Sequence, residues 1–141
     1  RQKAEITLKE VSMVKTACKI LGFVLIAAGI VGFFKYDLAG FHLTTIHNIV
    51  HLVTGGAALY FGFTTTVAAA RMFCLIMGAI YLILGVVGFI APTLITAIIQ
   101  AHDADVIMAP DNIVHLLFGA AFLIVGWLAV PQPSAPTESK A

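Results

Sequence analysis

Residues 72–91 read MFCLIMGAIYLILGVVGFIA, twenty positions with no charged or carboxamide side chain. As an α-helix such a run spans the roughly 30 Å hydrocarbon core of a bilayer. Three more runs accompany it: ILGFVLIAAGIVGFF (20–34), IVHLVTGGAALYFGF (49–63) and NIVHLLFGAAFLIVGWLAV (112–130). With its flanks, each reaches the roughly 20 apolar residues that a crossing needs. A soluble domain carries about 25% charged residues. Here the figure is 11%, with 60% hydrophobic residues and a mean hydropathy of +1.02. The runs are continuous and rich in Leu, Ala, Gly and Ile, which suits helices and not the alternating strands of a membrane barrel. All five prolines (Pro92, Pro110, Pro131, Pro133 and Pro136) lie outside the four runs, where helices start or stop. The first run has no small-residue cleavage site behind it, so it is read as a helix and not as a signal peptide. The sequence therefore predicts an all-α fold, a bundle of four transmembrane helices.

Charge placement gives an orientation. Arg1, Lys3, Lys9, Lys15 and Lys19 precede or open the first run, Arg71 lies between the second and third, and Lys140 is in the tail. Seven of the eight basic residues thus fall on one side, against Lys35, Asp37, Asp103, Asp105 and Asp111 on the other. The positive-inside rule predicts that both termini are cytoplasmic. A net charge of +1 gives no reason to expect nucleic acid. The expected partner is the lipid bilayer, with the basic start of the chain near anionic lipid. Cys18 and Cys74 fall at cytoplasmic helix ends, where thiols stay reduced, and no disulfide is expected.

The chain also repeats itself. At an offset of 56, Cys18, Gly22, Gly29, Gly32 and Phe33 fall on Cys74, Gly78, Gly85, Gly88 and Phe89. At an offset of 64, Asn48, His51, Leu52, Gly55, Ala57 and Gly62 fall on Asn112, His115, Leu116, Gly119, Ala121 and Gly126. Each unit is a two-helix hairpin, so it starts and ends on the same side, and the two copies are parallel repeats about an axis near the membrane normal. The predicted organisation is a cytoplasmic segment over 1–12, a first repeat over 13–64 and a second over 68–130, with a disordered tail over 131–141. The second external connection, 92–110, is the longer one, and LITAIIQA within it suggests a short interfacial helix. The glycines mark the faces where helices approach closely in lipid.

One polar stripe interrupts the apolar pattern in each repeat: HNIVHL at 47–52 and DNIVHL at 111–116. His47, His51, Gly55 and Gly62 share a face at helical spacing, as do Asp111, His115, Gly119 and Gly126. If the repeats pack symmetrically, His51 meets His115, with His47 and Asp111 one turn nearer the external surface. Intramembrane polar groups turn inward and pair. Three readings follow. The stripe is an interhelical hydrogen-bond network that fixes register, with Asn48 and Asn112 bonding between helices. Or His47, His51, Asp111 and His115 hold a divalent metal, or His51 and His115 ligate a haem or chlorin from two sides. Or the stripe is a proton or solute path, although the spans lack the Glu, mid-helix Arg and broken helices that often accompany transport. Asp111, just after Pro110, is placed to cap the helix it opens.

No enzyme is expected. Ser12, Ser134 and Ser139 all lie outside the runs, and no phosphate loop or HExxH motif is present. His42 and His102, on the external side near acidic residues, read as surface residues or as a vestibule that gathers cations. Tyr36 and Trp127 fit an interfacial belt, while Tyr60 and Tyr81 lie deeper and need partners.

The four-span layout and the paired segments HNIVHLVTGGAALYFG (47–62) and DNIVHLLFGAAFLIVG (111–126) resemble a family of small bacterial membrane proteins of unknown function, with an H-N-x-x-H-L-x-x-G signature helix. The first copy matches at His47, Asn48, His51, Leu52 and Gly55, and the second departs at Asp111. The resemblance covers about residues 13–130 and implies a bacterial cytoplasmic (inner) membrane protein of this topology. The functional expectation is a non-enzymatic membrane protein serving as an accessory or scaffold subunit beside other membrane-protein subunits. The alternative is a metal- or tetrapyrrole-binding protein that uses the stripe.

Overall fold

The computed structural model describes residues 2–35, 37–38, 41–100 and 109–129, with side chains over 13–35, 41, 43–100 and 110–129. The expected tail over 131–141, the HDAD segment with His102, and Tyr36 lie outside the described residues, as does the side chain of His42. Five helices carry the described chain: α1 (Gln2–Phe34), α2 (Thr45–Thr64), α3 (Val67–Ile90), α4 (Pro92–Ile99) and α5 (Ala109–Leu128). Between α1 and α2, the two-residue strands β1 (Asp37–Leu38) and β2 (Phe41–His42) pair antiparallel, Asp37 opposite His42.

Among the described residues, three segments are long and apolar enough to cross a membrane: Met13–Phe34, Val67–Ile90 and Pro110–Leu128. This points to an integral membrane protein. The outer surface agrees, because Phe34, Ile90 and Trp127 are 84%, 76% and 75% exposed, and a water-facing surface seldom shows such a density of large apolar groups. The helix α2 has the length of a span, 20 residues, but His47, Asn48 and His51 lower its hydropathy. The expected short helix in the second connection is α4, which Pro92 starts at its first turn and Gln100 ends in the left-handed conformation at φ 56°. The first helix starts at Gln2, so the backbone of the expected N-terminal segment is helical and continuous with α1.

The closest pairings are α1 with α2 and α3 with α5. Each pair is antiparallel and is set by glycine. A Cβ on Gly22 would lie 2.9 Å from the Gly55 carbonyl oxygen, and one on Gly55 would lie 2.8 Å from that of Gly22, so the α1 and α2 backbones nearly touch. In the second pair a Cβ on Gly119 would lie 2.6 Å from the Leu82 nitrogen, and one on Gly78 would lie 2.8 Å from the Leu123 nitrogen. Without hydrophobic exclusion to drive helices together in lipid, such close approach supplies the van der Waals contact that holds them.

The two pairs meet along an aromatic core. Phe61 stacks on Phe73 with ring centroids 4.7 Å apart, Phe73 meets the edge of Phe122 at 6.0 Å, and Phe122 stacks on Tyr81 at 6.1 Å. Cys18 and Cys74 lie in the same core, both free and fully buried, with their Sγ atoms 3.3 Å apart. The thiols thus bring α1 against α3 at equivalent positions of the two pairs.

Candidate functional site

Thr44 fixes the start of α2. Its extended backbone (φ −61°, ψ 160°) places the hydroxyl to accept from the His47 N–H at 3.2 Å, an N-cap. The same hydroxyl donates to the Ile99 carbonyl at 2.7 Å. One side chain therefore caps α2 and ties it to the end of α4, which fixes where His47 enters the helix.

From that start, His47 and His51 stand one turn apart on one face, with ring centroids 4.3 Å apart. His115 of α5 comes against them, its ring stacked on His47 at 5.8 Å. One nitrogen from each of His47, His51 and His115 lies within 4.8 Å of the others. The His115 ring N–H donates to the backbone carbonyl of Asp111 one turn earlier. Such a bond fixes ring orientation and tautomer, and metal-bound histidines almost always make one. His51 Nδ1 is buried and has no hydrogen-bond partner among the described residues.

Asp111 is buried in the first turn of α5, where the helix dipole favours a carboxylate. It lies inside the helix and not at its N-cap, because α5 begins at Ala109. It borders the same cavities as the imidazoles, but stands outside the three-nitrogen group. The carboxamides sit in separate helix pairs. Asn48 Nδ2 donates to the Leu43 carbonyl at 3.0 Å, and its Oδ1 occupies the space a Cβ on Gly32 would need. Asn112 Oδ1 stands the same way against Gly88. Each carboxamide reaches its neighbouring helix through a glycine Cα–H, a weak contact that only glycine permits here.

Two cavities flank the imidazoles. One, of about 120 Å³, lies among α2, α3, α4 and α5, and the other, of about 230 Å³, lies among α1, β2 and α5. His47, His51, Tyr81, Asp111 and His115 border both. A tetrapyrrole gripped between His51 and His115 would need a flat slot there, and His47 stands against both rings. Neither cavity reaches the roughly 300–1,000 Å³ usual for pockets that take larger ligands.

Tyr81 belongs to the site, and the sequence reading left it without partners. Its ring packs at 5.5 Å on His115 and 6.1 Å on Phe118. A signal was there to be used: the residue 56 positions earlier is Leu25, so a phenol stands where the other repeat has an apolar side chain. Tyr60, the other deep tyrosine expected from sequence, faces outward at 59% exposure.

Residues 15–128 match the family described as Domain of unknown function (DUF4383). The chain belongs to that family. The match takes in α1 from Lys15 and the whole of α2, α3, α4 and α5, so every site residue of this DUF4383 chain lies within it. Comparison with curated proteins and with solved structures returns no match.

Proposed function

We propose that this DUF4383 chain is a membrane protein that binds a divalent transition metal through His47, His51 and His115. The observation that carries the reading is the meeting of three imidazole nitrogens within 4.8 Å, drawn from two helices. A tetrahedral ion about 2.0–2.1 Å from each nitrogen would hold them about 3.3 Å apart, a closure that side-chain rotation supplies. The His115 bond to Asp111 suits the same reading. Imidazole donors suit zinc, copper, nickel or iron over calcium or magnesium. Three protein ligands leave a fourth position, which Asp111 at the cavity wall or a small molecule would take. The proposal is for binding of the metal.

The proposed topology has α2 as a fourth crossing, two parallel hairpin repeats and both termini in the cytoplasm of a bacterial inner membrane. Support comes from length and from equivalent contacts. Twenty residues of helix span about 30 Å. Gly32 meets Asn48 as Gly88 meets Asn112, and Gly22 meets Leu59 as Gly78 meets Leu123, the offsets being 56 and 64 throughout. The polar residues that lower the hydropathy of α2 face inward at the site, so they do not oppose a crossing.

Small size, few charged loops and glycine-lined faces are the sequence features that favour an accessory subunit. Gly22, Gly29 and Gly32 are taken up against α2, and Gly78 and Gly85 against α5. The metal reading therefore leads. Its test is metal content by mass spectrometry, on protein purified without a metal-affinity tag and then incubated with zinc. One equivalent per chain, lost in His51→Ala and in His115→Ala, is expected. Wild-type protein that retains no more zinc than these two variants would refute it.

A further inference from the structure

The repeat offsets pair the walls of the two cavities. Adding 56 carries Val24, Leu25 and Ala28 of α1 to Ile80, Tyr81 and Leu84 of α3. Subtracting 64 carries Val114, His115 and Phe118 of α5 to Val50, His51 and Thr54 of α2. The first of each set borders the larger cavity and the second borders the smaller. The cavities are therefore equivalent places in the two helix pairs, yet their chemistry differs. The larger has Leu25 and Phe118 where the smaller has Tyr81, which borders both, and Thr54, which borders the smaller alone; the two are 4% and 9% exposed. Tyr81 Oη stands beside Thr54 without a hydrogen bond of good geometry, and His51 Nδ1 has no partner. Buried polar atoms are nearly always satisfied, so two left over on the wall beside Thr54 point to something that satisfies them.

His47, Asp111, Asn112 and His115 also border the smaller cavity, and the rest of the wall is aliphatic or Met77, roofed by Ile95, Ile98 and Ile99. Val50 and Ile80 border the cavity and are also exposed on the outer surface of α2 and α3. In the proposed topology both are well inside the hydrocarbon layer, so the gap between α2 and α3 opens to lipid. A charged ligand would lose its hydration in such a chamber, and an alkane would leave the polar atoms orphaned. An apolar cavity of roughly 150 Å³ takes a single benzene ring, and this one, at about 120 Å³, is of that order.

We propose that the smaller cavity binds one neutral phenolic ring, the chemistry of a quinol headgroup, which enters from the bilayer between α2 and α3. The ligand hydroxyl donates to His51 Nδ1 and accepts from Tyr81 Oη, with Thr54 at the edge of the pair and the ring against the aliphatic wall. The binding requires no metal, so it is titrated on metal-stripped protein and stands or falls apart from the metal site.

The test uses 4-fluorophenol followed by fluorine NMR, on the full chain in lipid discs with empty discs as the partition control. Saturable binding at one site per chain is expected. Tyr81→Phe removes only the hydroxyl and should weaken it about fivefold, the worth of one ordinary hydrogen bond. Thr54→Phe installs the residue of the equivalent position and should abolish it by filling the space. Ala28→Leu, which does the same to the larger cavity, should leave it unchanged. A quinol with a hydrocarbon tail should displace the probe through the lateral gap. Displacement by tailless hydroquinone alone would overturn the lateral route. Partitioning equal to that of empty discs, or saturable binding indifferent to both Tyr81→Phe and Thr54→Phe, would overturn the site.

Discussion

Replacing Gly32 by alanine perturbs one atom pair, and the consequence can be worked through. The new Cβ would fall on Asn48 Oδ1, so the carboxamide must move. Moving it breaks the 3.0 Å bond from Asn48 Nδ2 to the carbonyl of Leu43, a residue only 6% exposed. Overpacking a tight contact costs about 1–3 kcal/mol. A buried carbonyl left unsatisfied costs about 1–3 kcal/mol more. Alanine returns about 1 kcal/mol as the better helix former. The net expectation is a loss of about 3 kcal/mol. Gly56→Ala is the control, since a Cβ there meets nothing within 4 Å, and stability should hold or rise slightly. The assay is reversible unfolding in mixed micelles by SDS titration. The double variant Gly32→Ala/Asn48→Ala should cost at least about 1 kcal/mol less than the sum of its parts, because the second change empties the contested space. If Gly32→Ala unfolds with Gly56→Ala, or if the double variant is additive, the close-approach argument fails.

Two further outcomes test how the helices are joined. Thr44→Val removes both the α2 cap and the tie to Ile99, so amide exchange in α4 should quicken while that of mid-α3 stays slow. Exchange in α4 equal to wild type would show that the tie does not hold it. Copper-phenanthroline oxidation should link Cys18 to Cys74 within one chain, given the 3.3 Å between their sulfurs, and the link should vanish in Cys18→Ala. Intact mass and loss of alkylation report it, and dimers as the sole product would contradict the α1–α3 contact.

Much of the helix layout was legible because apolar run length is a direct consequence of bilayer thickness. The same rule blurs at α2, where His47, Asn48 and His51 cost the helix its hydropathy while serving the interior. The pairing of His47 with His51 follows from helical spacing alone. The approach of His115 does not, since it depends on how two helix pairs dock, with Phe61 of one stacked on Phe73 of the other. Asp111 lies inside α5 and not at its cap because the helix starts two residues upstream, which spacing does not encode. The expected carboxamide network between helices takes another form: each Asn meets a glycine of its own pair, a contact that composition alone does not reveal. The strand pair β1–β2 and its part in roofing the larger cavity through Phe41 left no pattern in so short a segment.

The metal site is tested most directly by X-ray absorption on zinc-loaded protein in lipid discs. Three imidazole nitrogens at about 2.0–2.1 Å are expected in the wild type, with zinc uptake lost in His47→Ala as in His51→Ala and His115→Ala. A first shell made of oxygen alone, or a spectrum unchanged in His47→Ala, His51→Ala and His115→Ala alike, would contradict the assignment of His47, His51 and His115 as the metal ligands.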